Sequence, residues 1–361
     1  MFNSDDHRYM ARALELAQRG LYTTTPNPRV GCVLVRDGEV VGEGWHEKSG
    51  LPHAEANALR VAGARARDAT AYVTLEPCTH HGRTPPCVDA LVGAGVARVV
   101  VAMQDPNPQV AGKGIATLVD KGIQVLSGLL EGEARELNVG FASRMTRGRP
   151  WVRMKIASSL DGKTALNNGR SQWITGEAAR RDAHHWRARA CAILTGIGTV
   201  KDDDPQLTVR EMPAPRQPLR VVVDSRLEIP LSARILGGGG VLIAAAQEHR
   251  EKIRALRDQQ AEVVVLPNSS GKVELPDLFC ELARRGMNEV HVEAGYKLNG
   301  SLLGEGMVDE LVLYVAPSII GDAARGMFNL PELTELSGRR NLEIRDLRMI
   351  GDDVRLLARF V

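Results

Sequence analysis

Read for alternation and period, the chain is a series of short apolar runs set between polar, Gly- and Pro-rich breaks. Met10, Ala13, Leu14 and Ala17 recur at helical spacing, and Gly20 stands where such a helix can end. Residues 30–35 and 40–44 read as strands, with Asp37-Gly38 between them as a strong two-residue hairpin signal. His53 opens a helix running to about Val61, with Gly63 as its stop. Strands follow at 71–75, 98–103 and 123–126, and helices at 88–92 and 114–119. The order α-β-β-α-β-α-β-α-β predicts a layered sheet with helices on its faces.

Met145 to Pro150 is polar and punctuated, and reads as a linker between domains at 1–147 and 148–361. A second α/β pattern follows it. Its strands are expected at 152–157, 192–195, 219–223, 241–245, 263–266, 289–293 and 310–315, and its helices at 177–190, 249–259 and 275–285. A length of 361 residues suits two domains.

Composition narrows the function. Lysine plus arginine is 46 against 44 acidic residues, a net charge of +2, which gives no electrostatic footprint for nucleic acid or an anionic membrane. Aromatic residues are only 4%, which argues against a deaminase that stacks a base flipped out of tRNA or DNA. The N-terminal residues are polar and partly acidic, unlike a signal peptide, and apolar runs such as 241–246 are too short to span a bilayer. The five cysteines form no disulfide framework and point to a reduced, cytosolic protein; Cys32, Cys191 and Cys280 read as small core residues.

The chemistry gathers between residues 53 and 87. His53, Cys78 and Cys87 can offer one imidazole and two thiolates to zinc, leaving a fourth position for water, as catalytic zinc requires. Glu55 is not needed as a ligand and is free to move protons beside that water. His-x-Glu followed by Pro-Cys…Cys is the pattern of zinc-dependent base deaminases, although eight residues separate the two cysteines here instead of two. Two unrelated cysteines near a surface histidine are the alternative. His53 and Cys87 fall at expected helix N-termini, whose partial positive charge favours thiolate. Asn27, Asp105 and Asn107 lie in Pro-flanked loops that suit either turns or a substrate, and Arg83 within the metal loop could meet a phosphate.

In the second half, glycine-bearing segments at 158–162, 195–199 and 293–301 follow strands, where open α/β sheets bind ligands. No G-x-G-x-x-G fingerprint is present, so an ordinary dinucleotide fold is not indicated. Arg226 follows a strand and could meet a 2′-phosphate. Residues 201–205 read as a turn, not a calcium loop, and Gly237–Gly240 as a flexible turn.

These motifs resemble the bifunctional riboflavin-biosynthesis deaminase–reductases of bacteria. The resemblance is carried by P-N-P-R-V-G-C at 26–32, H-A-E at 53–55, T-L-E-P-C-T-H-H-G-R-T-P-P-C at 74–87 and Q-D-P-N-P at 104–108. In the second half it is carried by K-I-A-S-S-L-D-G-K-T-A at 155–165, S-Q-W-I-T at 171–175, D-D-P-Q-L-T-V-R at 203–210 and G-M-V-D-E-L at 306–311. It implies a cytidine-deaminase-like three-layer N-terminal domain and a dihydrofolate-reductase-like C-terminal α/β domain. It implies one zinc per chain on His53, Cys78 and Cys87, with Glu55 as proton shuttle. Asn27, His80, Arg83, Asp105 and Asn107 would line the pyrimidine-phosphate site. Ala157, Trp173, Thr199, Asp203, Ser225 and the segment Gly295, Tyr296, Lys297, Leu298, Asn299, Gly300, Ser301 would hold NADPH. Ser171, Arg187, Leu207, Arg210 and Glu293 would touch the reductase substrate, Arg187 and Arg210 as phosphate ligands. Tyr296 and Lys297 are bulkier than the residues many relatives carry there. The resemblance further implies a cytoplasmic homo-oligomer, a dimer, acting on small phosphoribosyl-pyrimidines. A second half that only binds or dimerises is the rival reading.

Overall fold

The computed structural model describes residues 2–79 and 86–361. The chain forms two compact units, Met1–Arg149 and Pro150–Val361.

The first unit begins with α1 (Ser4–Gln18). It starts six residues before the periodic apolar stretch, because a capping box begins it. The Asn3 side chain accepts the Asp6 N–H at 2.8 Å, and the Asp6 carboxylate accepts the Asn3 N–H at 3.1 Å. Tyr9, Met10, Ala13, Leu14, Leu16 and Ala17 form the buried stripe. Strands β1 (Gly31–Arg36) and β2 (Glu39–Trp45) pair through the expected hairpin, whose Asp37 and Gly38 have φ of 53° and 79°. Helix α2 (Ala54–Ala62) crosses β2 so closely that a Cβ on Gly44 would lie 2.4 Å from the Ala54 carbonyl oxygen. Strand β3 (Thr70–Val73), α3 (Cys87–Gly93), β4 (Arg98–Val101), α4 (Lys113–Asp120) and β5 (Gln124–Ser127) complete a sheet of order β2-β1-β3-β4-β5. Its β3, β4 and β5 are parallel, so loops of chemical interest gather at their carboxyl ends.

Two further helices, α5 (Glu131–Leu137) and α6 (Val139–Arg147), were not expected from the sequence. Met145–Arg147 therefore belong to a helix and not to a linker. Between the helices, the Asn138 side chain bonds the N–H and C=O of Arg29 at 2.8 and 2.9 Å.

The second unit opens with β6 (Trp151–Ser159) and the short β7 (Lys163–Ala165). Alternating elements follow: α7 (Glu177–Arg189), β8 (Ala192–Gly196), α8 (Ile197–Asp203), β9 (Leu219–Val223), β10 (Val241–Ala245), α9 (Arg250–Asp258), β11 (Ala261–Val265), α10 (Leu275–Arg284), β12 (Glu289–Val292) and α11 (Tyr296–Gly304). Strands β13 (Glu310–Ala316), β14 (Arg325–Gly326), β15 (Leu342–Ile350) and β16 (Asp353–Phe360) close the chain. The nine-stranded sheet has order β11-β10-β9-β8-β12-β6-β13-β16-β15, parallel from β11 to β13 and antiparallel beyond. The parallel strands are near-continuous apolar runs, as strands buried on both faces must be. Residues 201–203, expected in a turn, are the end of α8, and Cys280, expected in the core, is exposed on α10; Cys32 and Cys191 are buried.

Arg153, the third residue of β6, is buried with Glu289 (3.0 Å) and Glu310 (2.5 Å), which also take Arg189 and Arg359. The network joins β12, β6, β13 and β16 by charge where the sheet changes from parallel to antiparallel.

Candidate active sites

In the first unit, three ligand-type atoms converge. His53 is the N-cap of α2, Cys78 follows β3, and Cys87 is the first residue of α3. His53 Nδ1 is 3.3 Å from Cys87 Sγ and 3.5 Å from Cys78 Sγ, and all three atoms lie within 4.8 Å of one another. Zinc–nitrogen and zinc–sulfur bonds at tetrahedral angles put those atoms about 3.6 Å apart, so the donors fit zinc in kind and in spacing. The Cys87 N–H donates to Cys78 Sγ at 3.4 Å. Contact with Cys87 and the His53 imidazole hold the Cys78 thiol down at about 4, against the effect of burial. Cys87, facing Cys78 and buried beside Glu55, is pushed up. A Cys78 thiolate facing the Cys87 sulfur, next to the Glu55 carboxyl, suits a cation.

Glu55 is buried at the start of α2. Burial, then the negative charge of Cys78, push its carboxyl up to about 7.

His46 was not anticipated. It is buried at the end of β2, its ring edge-on to His53 with centroids 5.3 Å apart. Its Nδ1–H donates to the Pro52 carbonyl at 3.1 Å, which leaves Nε2 to accept from the Asn27 amide at 3.1 Å. Asn27 is thus brought to the metal cluster through His46. Asp105 and Asn107 shape their own loop, Asp105 accepting the Asn107 N–H at 2.8 Å and Asn107 the Gln109 N–H at 3.1 Å.

Glu76, also unanticipated, fastens that loop. Its buried carboxylate accepts the N–H groups of Asp105 (3.0 Å), Gly112 (3.0 Å), Gly114 (2.8 Å) and Ile115 (3.1 Å). The expected contacts His80 and Arg83 lie outside the described residues.

In the second unit, expected cofactor residues meet at the carboxyl ends of adjacent strands. A Cβ on Gly196, the last residue of β8, would lie 3.1 Å from Leu298, and one on Gly295, after β12, 3.8 Å from the Thr199 hydroxyl. Asn299 Oδ1 is buried without a partner, as are the hydroxyls of Thr195 and Ser158, close in sequence to the expected cofactor segments. Orphaned polar atoms along these strand ends fit a polar ligand such as a dinucleotide. Ser225 follows β9 and accepts the Val273 N–H at 3.2 Å, while Ala157 is on β6. Ser171 bonds Asp203 at 3.2 Å. Trp173 is exposed, with the Arg180 guanidinium stacked 4.7 Å from its ring. The α11 residues Tyr296, Lys297, Gly300 and Ser301 form the first two turns after Gly295, which is the N-cap.

Arg187 and Glu293 are brought together as a pair, and Arg187 also donates to the Thr208 carbonyl at 3.1 Å. The Arg187 fork thus engages Glu293 and the Thr208 carbonyl in the folded chain. Arg210 is half exposed, 3.9 Å from Glu211. Leu207 is buried with φ of 51°, a left-handed conformation that costs a non-glycine residue energy and recurs at functional sites. Lys155, on β6, was missed: burial lowers its pKa, opposed by the charge of Glu293. Arg226 is exposed, 4.0 Å from Glu228.

A hydrolytic zinc centre in one unit and a strand-end crevice in the other define a zinc-dependent base deaminase joined to a reductase. Comparison with known proteins agrees. Residues 3–103 match the cytidine and deoxycytidylate deaminase zinc-binding region, and residues 150–356 match the RibD C-terminal domain. The chain is 49% identical to the riboflavin biosynthesis protein RibD of Escherichia coli, over 97% of this chain and 98% of that one. It is 42% identical to the Aquifex aeolicus protein of the same name, over 98% of each. A solved structure of Acinetobacter baumannii RibD superposes with a TM-score of 0.92 at 45% identity, covering 99% of both chains. A Thermotoga maritima structure, described as a diaminohydroxyphosphoribosylaminopyrimidine deaminase/5-amino-6-(5-phosphoribosylamino)uracil reductase, superposes at 0.87 with 33% identity over 99% of both. The chain belongs to the RibD family of bifunctional deaminase–reductases of riboflavin biosynthesis. Its first unit is cytidine-deaminase-like and its second dihydrofolate-reductase-like, with zinc and NADPH as cofactors. No described helix is long and apolar enough to cross a membrane.

Proposed function

We propose that residues 1–147 deaminate 2,5-diamino-6-(5-phosphoribosylamino)pyrimidin-4(3H)-one and that residues 148–361 reduce the resulting 5-amino-6-(5-phosphoribosylamino)uracil to its ribityl form. The observation that carries the first step is the convergence of His53, Cys78 and Cys87 within 4.8 Å beside buried Glu55. Zinc held by these three supplies the Lewis acidity that brings the pKa of water from 15.7 to about 7. Glu55 takes a proton from the attacking water and returns it to the exocyclic amine. The C–O bond forms as the C–N bond breaks, and ammonia leaves. Asn27, set by His46, and Asp105 and Asn107, set by Glu76, bind the ring together with His80 and Arg83.

In the second step NADPH supplies a hydride to C1′ of the opened ribosyl chain. Ala157, Trp173, Thr199, Asp203, Ser225 and Gly295–Ser301 hold the cofactor. Ser171, Leu207, Arg210 and the Arg187–Glu293 pair hold the substrate. Lys155, beside Glu293, is the group placed to give the accompanying proton. The chain works in the cytoplasm as a homodimer, in keeping with five free cysteines.

The test supplies only the diaminopyrimidine phosphate and follows ammonia and NADPH absorbance together. Loss of NADPH in step with ammonia release supports both assignments. Ammonia release with unchanged NADPH removes the reductase assignment and leaves the second unit as a binding module.

A further inference from the structure

Asp161 belongs to neither set of expected site residues, yet it ties two loops together beside the cofactor crevice. It stands two residues past β6, exposed to solvent. Its carboxylate accepts the Ser159 hydroxyl at 2.5 Å. It also reaches the chain beyond β13, where it accepts the Ile320 N–H at 3.1 Å and the Gly321 N–H at 2.7 Å. Next to it, the Leu160 N–H donates to the Ser318 carbonyl at 2.8 Å. The Ser159 hydroxyl and then the Gly321 N–H hold the Asp161 carboxyl down at about 2, so this clip is made by a charged acceptor.

The clip is the first of three fastenings along residues 318–329. At the second, β14 pairs with β7, and the Thr164 hydroxyl donates to the Gly326 carbonyl at 3.1 Å. At the third, the segment lies on α11. The Asn329 N–H donates to the Tyr296 carbonyl at 3.0 Å, and a Cβ on Gly300 would lie 2.1 Å from the Asn329 carbonyl oxygen. No side chain fits at 300 while the segment holds this position. The Asn299 amide donates from Nδ2 to the Met327 carbonyl at 3.3 Å. That bond decides which end of the amide is left over. A carbonyl takes only an N–H, so the amide turns Nδ2 to Met327 and keeps Oδ1, buried and unpartnered, as an acceptor.

We propose that Asp161 is a positioning residue for NADPH, holding residues 318–329 so that the Asn299 amide on α11 is set to accept a hydrogen bond from the cofactor. The inference rests on the reading above that Gly295–Ser301 hold NADPH, and it names a residue that acts on that segment from outside it. A buried acceptor without a partner is costly, and a bound ligand that brings a donor removes the cost. NADPH brings donors of that kind in its carboxamide N–H₂ and its ribose hydroxyls. Asp161 is exposed, so shortening it opens no hole in the core and removes only the tether.

Fluorescence titration of the full, zinc-loaded chain with NADPH tests this, with NADPH oxidation followed alongside. Asp161→Ala should raise Kd and KM for NADPH about 10-fold, the loss of charge-assisted hydrogen bonds, while kcat at saturating NADPH stays within about twofold. Thr164→Val, which removes a hydrogen bond of the second fastening, should raise Kd about threefold. The urea unfolding midpoint should match the wild type in both. Asn299→Ala should itself weaken NADPH binding, and adding Asp161→Ala to it should cost little more, because the clip acts through that amide. A wild-type Kd in Asp161→Ala overturns the positioning role, as does full additivity of Asp161→Ala with Asn299→Ala. A raised Kd that comes with a lowered unfolding midpoint overturns it too, since the unit is then merely loosened. In each of these cases a weakened Asn299→Ala leaves the α11 reading standing. If Asn299→Ala binds NADPH as the wild type does, or the wild type binds none, the α11 reading fails and the proposal falls with it.

Discussion

Arg187 and Glu293 meet side by side, Nε to Oε1 at 2.5 Å and Nη2 to Oε2 at 2.8 Å, across 106 residues of sequence. The two are only 12 and 13% exposed. Burial raises the Glu293 carboxyl, but the Arg187 guanidinium outweighs it and holds the group well below the usual range. Glu293 is therefore a fixed anion in the crevice, and Arg187 positions it. Glu293→Gln leaves a buried guanidinium without its counter-charge and should cost about 3 kcal/mol of the second unit's stability. NADPH oxidation should be lost while ammonia release continues. A variant that still oxidises NADPH at the wild-type rate removes Glu293 from the reductase site.

With Arg187 committed to Glu293, Arg210 is left as the exposed guanidinium near the crevice. Arg210→Ala should raise KM for the phosphorylated uracil about 10- to 100-fold, the loss of a charge-assisted contact. The Kd for NADPH should stay within about twofold. Equal weakening of both would mean a disturbed fold and not a lost phosphate ligand.

What the sequence disclosed follows from how far apart the interacting groups lie. The H-A-E triplet and the two cysteines were legible because helix starts and strand ends are local signals. The seven central strands of the second unit were legible because strands buried on both faces are apolar runs. His46 was not, since its role comes from Pro52 and Asn27 meeting it in space. Glu76 was hidden because its partners lie 29 to 39 residues on. Helices α5 and most of α6 were left without a reading, and only the polar end of α6, Met145–Arg147, read as linker. The hairpin of β15 and β16 was masked by the bulge, which breaks the period-two alternation in L-E-I-R-D-L-R-M-I.

Glu55→Gln should keep zinc, because the three ligand atoms are untouched, and should lower ammonia release by about 10² to 10⁴. Removing the metal with a chelator should abolish ammonia release and restore it on adding zinc. Reduction of ready-made 5-amino-6-(5-phosphoribosylamino)uracil should be unaffected by either change. Ammonia release by the variant at the wild-type rate would dismiss Glu55 as the proton carrier.

Glu76 is expected to act on substrate binding through the loop it fastens. Glu76→Gln replaces one acceptor oxygen with an amide N–H₂ that faces backbone donors, costing about 2–3 kcal/mol in the first unit. Asp105 and Asn107 then lose their fixed position, so KM for the pyrimidine should rise more than kcat falls. Zinc content should not change, since Glu76 bonds none of the three ligand atoms. A fall in kcat with KM constant would count against a positioning role.

His184 sets how the second unit responds to acid. It is buried in α7, and its Nδ1 accepts the Arg210 N–H at 3.3 Å. Burial, with the charges of Arg187 and Arg210, lowers its pKa to about 4 from an ordinary 6.5. Between those values the unfolded chain binds a proton that the folded chain refuses, so stability is full above pH 6.5 and falls as pH drops towards 4. At pH 5 the penalty is about 2 kcal/mol for this one group. Urea unfolding at pH 7 and pH 5 should show that loss, and His184→Gln, which keeps an acceptor for the Arg210 N–H but does not titrate, should reduce it by about that amount. An identical pH dependence in the variant would mean that His184 is protonated in the folded protein at its ordinary pKa.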